Sequence, residues 1–107
     1  MNLKIAVLSG DGIGPEVTMQ AKKALNAIGV VCNHEFVFED AYIGAIAIEK
    51  TGKPLPDQTL NLCRNTDCIL FGAIGDPIYD NNPTAKVRPE QGLLKLRKEL
   101  GLYANIR

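Results

Sequence analysis

Two stretches leave almost no room for a solvent-facing side: residues 3–8, LKIAVL, and residues 68–75, CILFGAIG. A strand that is apolar on both faces is stable only when both are covered, as happens inside a parallel sheet. Parallel neighbours must be joined by long crossovers, usually helices. These stretches therefore predict an α/β chain, a mostly parallel sheet with flanking helices. Both end in glycine: Gly10-Asp11-Gly12-Ile13-Gly14 follows the first, and Gly72 and Gly75 close the second.

Between them, Pro15-Glu16 opens a helix in which Val17, Ala21, Ala24, Leu25 and Ile28 recur at helical spacing, with Gly29 as its stop. Residues 30–39 read as a second strand. Phe36 and Phe38 face one way and Glu35, Val37 and Glu39 the other, the alternation of a half-exposed strand near a sheet edge. Residues 41–50 form a short helix whose small residues, Gly44, Ala45 and Ala47, allow close packing. Glycine and prolines break the chain at 51–56, and Asp57 suits the cap of a helix to about Arg64. The run at 68–75 is expected to be a central strand.

A polar loop follows from Asp76 to Arg88, long enough in a compact domain to be either functional or disordered. It leads into Pro89, whose fixed φ suits a helix start. Along that helix Leu93, Leu96 and Leu100 form a core stripe, while Gln91, Lys95, Lys98 and Glu99 face solvent. Glu90, Leu94 and Arg97 share a narrow stripe between the two, about 10 Å from end to end at roughly 1.5 Å per residue. Spacing leaves two readings open. Glu90 is a first-turn acid favoured by the helix dipole and Arg97 a solvated cation, or the stripe spans a substrate beside a cofactor. Gly101 ends the helix, and residues 103–107 look extended. Three strands are few for an open parallel sheet, so a fragment of a larger domain is expected.

Charge and cysteine content exclude several classes. Twelve basic residues balance twelve acidic ones with no basic block, so nothing favours nucleic acid or an anionic membrane. The apolar start is too short for a signal-peptide core or a membrane span. Cys32, Cys63 and Cys68 have no C-x-x-C spacing, which fits reduced cytoplasmic thiols. His34 is the single histidine, so no histidine cluster or triad can be assembled. Aspartates 11, 76 and 80 have no metal-site spacing, and Asp76-Pro77 and Asp80-Asn81-Asn82-Pro83 read as turn chemistry.

Gly10-x-Gly12-x-Gly14 resembles a dinucleotide fingerprint, but one residue rather than two precedes its third glycine, and Pro15 removes a helix N–H that would cradle a pyrophosphate. A tight turn requiring glycine is the better reading, and a Rossmann domain is not expected. Arg97 and Arg107 would suit a dicarboxylic acid if they converged, since guanidinium binds carboxylate bidentately. Leu93 and Leu94 beside them would then line an apolar pocket.

Four segments in order resemble the β-decarboxylating dehydrogenases, the family of isopropylmalate, isocitrate, homoisocitrate and tartrate dehydrogenases. They are LSGDGIGPEV at 8–17, GAIG at 72–75, RPEQGLLKLRK at 88–98 and LYANIR at 102–107. The resemblance implies that residues 1–107 are the N-terminal part of a first, cofactor- and substrate-binding domain of a cytoplasmic homodimer. It implies NAD-dependent oxidation of a small 2-hydroxy acid, then decarboxylation assisted by Mg2+ or Mn2+. It assigns Arg97 and Arg107 to substrate carboxylates and Leu93 and Leu94 to an alkyl group. Glu90 is placed by the nicotinamide ribose, and Ile13 and the loop beginning Gly75-Asp76-Pro77 along the cofactor. The general acid and base and the metal ligands are expected outside these residues.

Paired leucines at 93 and 94 suit an alkyl substituent better than a third carboxylate, which favours 3-isopropylmalate and leucine biosynthesis over isocitrate. Isocitrate or tartrate specificity, or a free-standing non-catalytic module binding a nucleotide or small acid, are the alternatives. Ser9 stands where the family commonly has proline, Asp76 where it often has glycine, and the loop before Glu90 is a residue longer than in some relatives.

Overall fold

The first apolar run becomes the middle of the sheet. In the computed structural model, which describes residues 1–107, β1 (Asn2–Gly10) lies between β2 (Glu35–Asp40) and β3 (Cys68–Ala73), paired in parallel with both. Ile5, Ala6, Val7 and Leu8 are at most 4% exposed, as a strand without a polar face requires. Side chains alternate across a sheet. The register Leu3–Phe36 and Ile5–Phe38 therefore builds one face, and Ala6–Ile69 and Leu8–Phe71 build the other.

The long helix α1 (Gly14–Cys32) covers the first face. It approaches closely because its inner stripe is small. A Cβ at Gly29 would meet the Phe36 ring at 3.4 Å, and Gly14 and Thr18 press against Gly72. The Thr18 hydroxyl lies 2.8 Å from that of Ser9, joining helix to strand. Over the second face close Ile43, Leu55, Leu60, Cys63 and Leu96. They come from α3 (Asp57–Arg64), α5 (Glu90–Glu99) and the segments flanking α2 (Ala45–Thr51). Within that core, burial pushes the Cys63 thiol pKa up. A short helix, α4 (Pro77–Asp80), interrupts the loop between β3 and α5. No helix is long and apolar enough to cross a membrane.

Several expectations need correction. Gly29 does not stop α1, which runs on to Cys32 and ends at Asn33 in the left-handed conformation. Gly29 serves contact instead: a Cβ there would lie 2.8 Å from the His34 carbonyl oxygen. Val30 and Val31 thus belong to the last helical turn, 85% and 84% exposed, and β2 begins only at Glu35. The alternation of β2 and its edge position agree with the sequence. β3, expected at the centre, is the opposite edge, half-buried over residues 69–73. Its apolar run satisfies the core on one side and meets α1 on the other, but no strand pairs outside it. Asp57 lies in the first turn of α3 rather than capping it, because Pro56 holds the cap position. Pro89 likewise precedes α5 by one residue, and the Gln91 side chain accepts from the Arg88 N–H at 3.1 Å there.

The inner stripe of α1 is Gly14, Thr18, Leu25 and Gly29, so Val17, Ala24 and Ile28 remain exposed. An apolar helix face beside two unpaired sheet edges invites association. Sedimentation of the isolated chain should therefore show concentration-dependent self-association. A strict monomer that unfolds cooperatively well above the roughly 45–65 °C of ordinary domains would contradict this.

Candidate functional site

The sheet order places β1 at the point where successive connections leave in opposite directions. Open α/β sheets form their ligand crevices there, outside the carboxyl ends of the strands. Three segments meet at that end: the glycine turn after β1, the start of α2, and the residues after β3.

Asp11 joins them. It is 6% exposed, and its carboxylate accepts three backbone hydrogen bonds: Oδ2 from Ala45 N–H at 2.8 Å and Gly75 N–H at 3.0 Å, and Oδ1 from Ile46 N–H at 3.0 Å. A buried carboxylate is tolerated when its oxygens are satisfied in this way. Gly44 permits the approach, since a Cβ there would sit 2.4 Å from Asp11 Oδ2.

Gly75 holds φ 122° and touches the next element: its Cβ, if present, would lie 3.3 Å from Glu90 Oε1. Two of the sequence-predicted residues, the Gly75 backbone and the Glu90 carboxylate, are thus adjacent across the cleft end of β3. The next residue, Asp76, caps α4 by accepting from the Ile78 N–H at 3.0 Å. Pro77 starts that helix and is exposed, and Ile13 is 66% exposed beside the glycine turn. A cleft of about 640 Å³ opens beside the glycine turn, lined among others by Gly10, Asp11, Gly12, Ile46, Asp76 and Tyr79; of the predicted cofactor residues it takes in Asp76, while Ile13, Gly75, Pro77 and Glu90 lie outside its lining.

α5 carries the remaining residues outward. Leu96 on its inner side is 3% exposed, whereas Leu94 is 62% exposed; Leu93 is half-buried and Glu90 and Arg97 are exposed. Gly92 allows the helix to dock, because a Cβ there would lie 2.6 Å from the Pro54 carbonyl oxygen. Arg97 borders a hollow of about 200 Å³ with Leu102, Tyr103, Ala104 and Asn105. Arg107 lies in the exposed segment from Leu102, which has no regular structure. The fold therefore gathers Gly75, Asp76 and Glu90, extends them along α5 through Leu94 to Arg97, and leaves Arg107 apart. A larger groove of about 690 Å³ runs along β2 and α3, lined by residues such as Lys4, Asp40, Tyr42 and Thr59, and includes none of the predicted residues.

Two contributors were not singled out from the sequence. Asp11 has no role in the sequence beyond a rejected metal ligand in the glycine turn, yet it is the hub of the cleft. Arg88 donates from Nη1 to the Tyr79 carbonyl at 2.9 Å and from Nη2 to that of Asn82 at 3.0 Å, latching the loop that walls the cleft. The polar loop ending in an arginine was the available signal for the second.

The sequence matches the family described as isocitrate/isopropylmalate dehydrogenase over residues 4–107. The chain belongs to this family. Among its family relatives, a 3-isopropylmalate dehydrogenase of Bacteroides fragilis is 55% identical over 107 residues, all of this chain and 30% of the relative. One of Aquifex aeolicus is 57% identical over 104 residues, 97% of this chain and 28% of the relative. The chain thus spans under a third of the length of these family members. Two solved structures share the fold. A β-decarboxylating dehydrogenase of Thermococcus kodakarensis has a TM-score of 0.71 at 35% identity, covering 94% of this chain and 27% of that one. An isocitrate dehydrogenase of Methylococcus capsulatus has a TM-score of 0.72 at 32% identity, covering 95% and 27%. The isocitrate/isopropylmalate dehydrogenase fold is therefore the architecture in which the cleft and α5 are set.

Proposed function

We propose that the chain forms the N-terminal, cofactor- and substrate-binding part of an NAD-dependent 3-isopropylmalate dehydrogenase, converting 3-isopropylmalate to 4-methyl-2-oxopentanoate and CO2 in leucine biosynthesis. The observation that carries this reading is the exposed face of α5. Glu90 stands against Gly75 at its start, Leu94 is held out of the core at 62% exposure, and Arg97 follows one turn later. A ligand matching that face carries an apolar group and a carboxylate, and 3-isopropylmalate carries both.

Each residue has a task that its chemistry suits. Arg97 binds one malate carboxylate through its planar fork of donors, and Arg107 binds a second. Leu93 and Leu94 bury the isopropyl group, a contact worth about 1.5–3 kcal/mol for a side chain of that size. The cofactor fits the cleft end of the site. Gly75 has no side chain and its N–H is taken by Asp11, so the group left to meet a ribose hydroxyl is the Glu90 carboxylate, with Ile13, Asp76 and Pro77 alongside. When bound, NAD supplies the hydride acceptor for oxidation of the 2-hydroxyl. Mg2+ or Mn2+ does not fit here, because no three His, Cys, Asp or Glu side chains converge in the chain. No step is assigned to metal within these residues.

We infer a cytoplasmic setting, which the three free thiols suit, with a homodimer as the assembly. The purified chain alone should form no NADH from 3-isopropylmalate, while the substrate should shift the NMR signals of Leu94 and Arg97 saturably. Turnover by the isolated chain would overturn its expected inactivity, and shifts confined to other surfaces would overturn the assignment of this face of α5 to the substrate.

A further inference from the structure

We propose that Asp11 is a positioning residue for the dinucleotide cofactor, setting the separation between the Gly75–Pro77 segment and the Glu90 end of α5. This rests on the cofactor reading of Gly75, Asp76 and Glu90 given above.

The two walls belong to different elements and are tied through one carboxylate. On one side Asp11 Oδ2 accepts from Gly75 N–H at 3.0 Å, and Gly75 abuts Glu90 Oε1. On the other side the same carboxylate holds Ala45 N–H at 2.8 Å and Ile46 N–H at 3.0 Å. The neighbouring Gly44 N–H donates to the Pro54 carbonyl at 2.9 Å, and Pro54 is the surface on which Gly92 of α5 rests. A continuous path therefore runs from Gly75 through Asp11, Gly44 and Pro54 to the helix carrying Glu90. The strand end is fixed as well: Asp11 N–H donates to the Ala73 carbonyl at 2.8 Å. Lengthening any link moves Gly75 relative to Glu90, and misplacement of about 1 Å is enough to impair a bound reactant.

A helix cap alone would require only the bonds to Ala45 and Ile46. The bond to Gly75 reaches a different element, 64 residues from Asp11. Asparagine cannot keep all three bonds. With its amide nitrogen at the Oδ2 position it faces the N–H groups of Ala45 and Gly75; flipped, it faces that of Ile46.

The test compares wild-type chain with Asp11→Asn by NMR, reading NAD+ affinity and hydrogen exchange of the Gly75 amide. Thr59→Val serves as control. It removes the hydroxyl that donates to the Tyr42 carbonyl at 2.7 Å, a part-buried bond away from the cleft, and should lower stability without changing NAD+ affinity. Folded Asp11→Asn should bind NAD+ about tenfold more weakly or worse, the loss of one charge-assisted bond, with faster Gly75 exchange. Equal NAD+ affinity in folded Asp11→Asn overturns the proposal. Should that variant not fold, the wild-type amide decides: protection of Gly75 above the neighbouring loop amides supports the clamp, and unprotected exchange overturns it. Failure of wild-type chain to bind NAD+ sinks the cofactor reading and, with it, the positioning role, whereas loss confined to the variant sinks neither.

Discussion

Gly14→Ala is expected to cost about 3 kcal/mol or more of folding free energy, at the upper end of overpacking effects, while Gly12→Ala should cost about 1–2 kcal/mol. A Cβ at Gly14 would lie 1.9 Å from the Ser9 carbonyl oxygen and 3.1 Å from Ala73 N. Both are backbone atoms at the ends of β1 and β3, so neither can yield without parting helix from sheet. Gly12 presents the opposite case. Its φ is 57°, which an alanine adopts at a cost, but nothing lies within 4 Å of its Cβ position. A chain with two open sheet edges has little stability in reserve. Urea titration should find Gly14→Ala largely unfolded in buffer and Gly12→Ala with a modestly lowered midpoint. Equal losses would mean that the close contact of α1 with the strand ends is misdescribed.

The second large effect concerns activity. The carrier is a chimaera in which this chain replaces the matching 107 residues of the Bacteroides fragilis 3-isopropylmalate dehydrogenase, 55% identical over that length. Arg97→Ala should lower kcat/KM by roughly thirtyfold to several thousandfold, the 2–5 kcal/mol expected when one partner of a buried charge pair is removed. Lysine should recover only part, because a point charge does not reproduce the guanidinium fork. Stability should hardly move. Arg97 is exposed, and the ion pair tying α5 to its neighbour is Glu99 with Arg64 at 3.1 Å. Unchanged kcat/KM, or a loss that tracks the melting temperature, would return Arg97 to the role of a solvated cation.

How much of this was legible depended on whether the decisive contact was local. Residues 3–8 announced a covered strand because every position but Lys4 is apolar, and β1 is that strand. Phe36 and Phe38 announced an edge by alternation, and β2 is one. The spacing of Leu96 and Leu100 marked the inner side of α5, while Leu93, read with them, is only half-buried. Gly29 misled, because a glycine that ends a helix and one that lets a helix touch a phenylalanine look alike in sequence. β3 misled for a related reason, since an apolar run reports that faces are covered and says nothing of how many strands lie beside it. Asp11 was illegible in principle: the N–H groups it accepts from are 34, 35 and 64 residues away. The stripe of Glu90, Leu94 and Arg97 was visible as geometry while its purpose stayed open. The fold adds that Glu90 abuts Gly75 and that Leu94 is withheld from the core.

On the proposed function, this face of α5 accepts a substrate with an alkyl group in place of a third carboxylate. Its most direct test is the ratio of kcat/KM for 3-isopropylmalate to that for isocitrate in the same chimaera, with NAD, measured before and after Leu94→Asn. The ratio should lie well above one for the parent and fall by about tenfold or more with the substitution, as expected for losing an alkyl contact of roughly 1.5–3 kcal/mol. A folded chimaera that prefers isocitrate, or a ratio indifferent to Leu94, would contradict it.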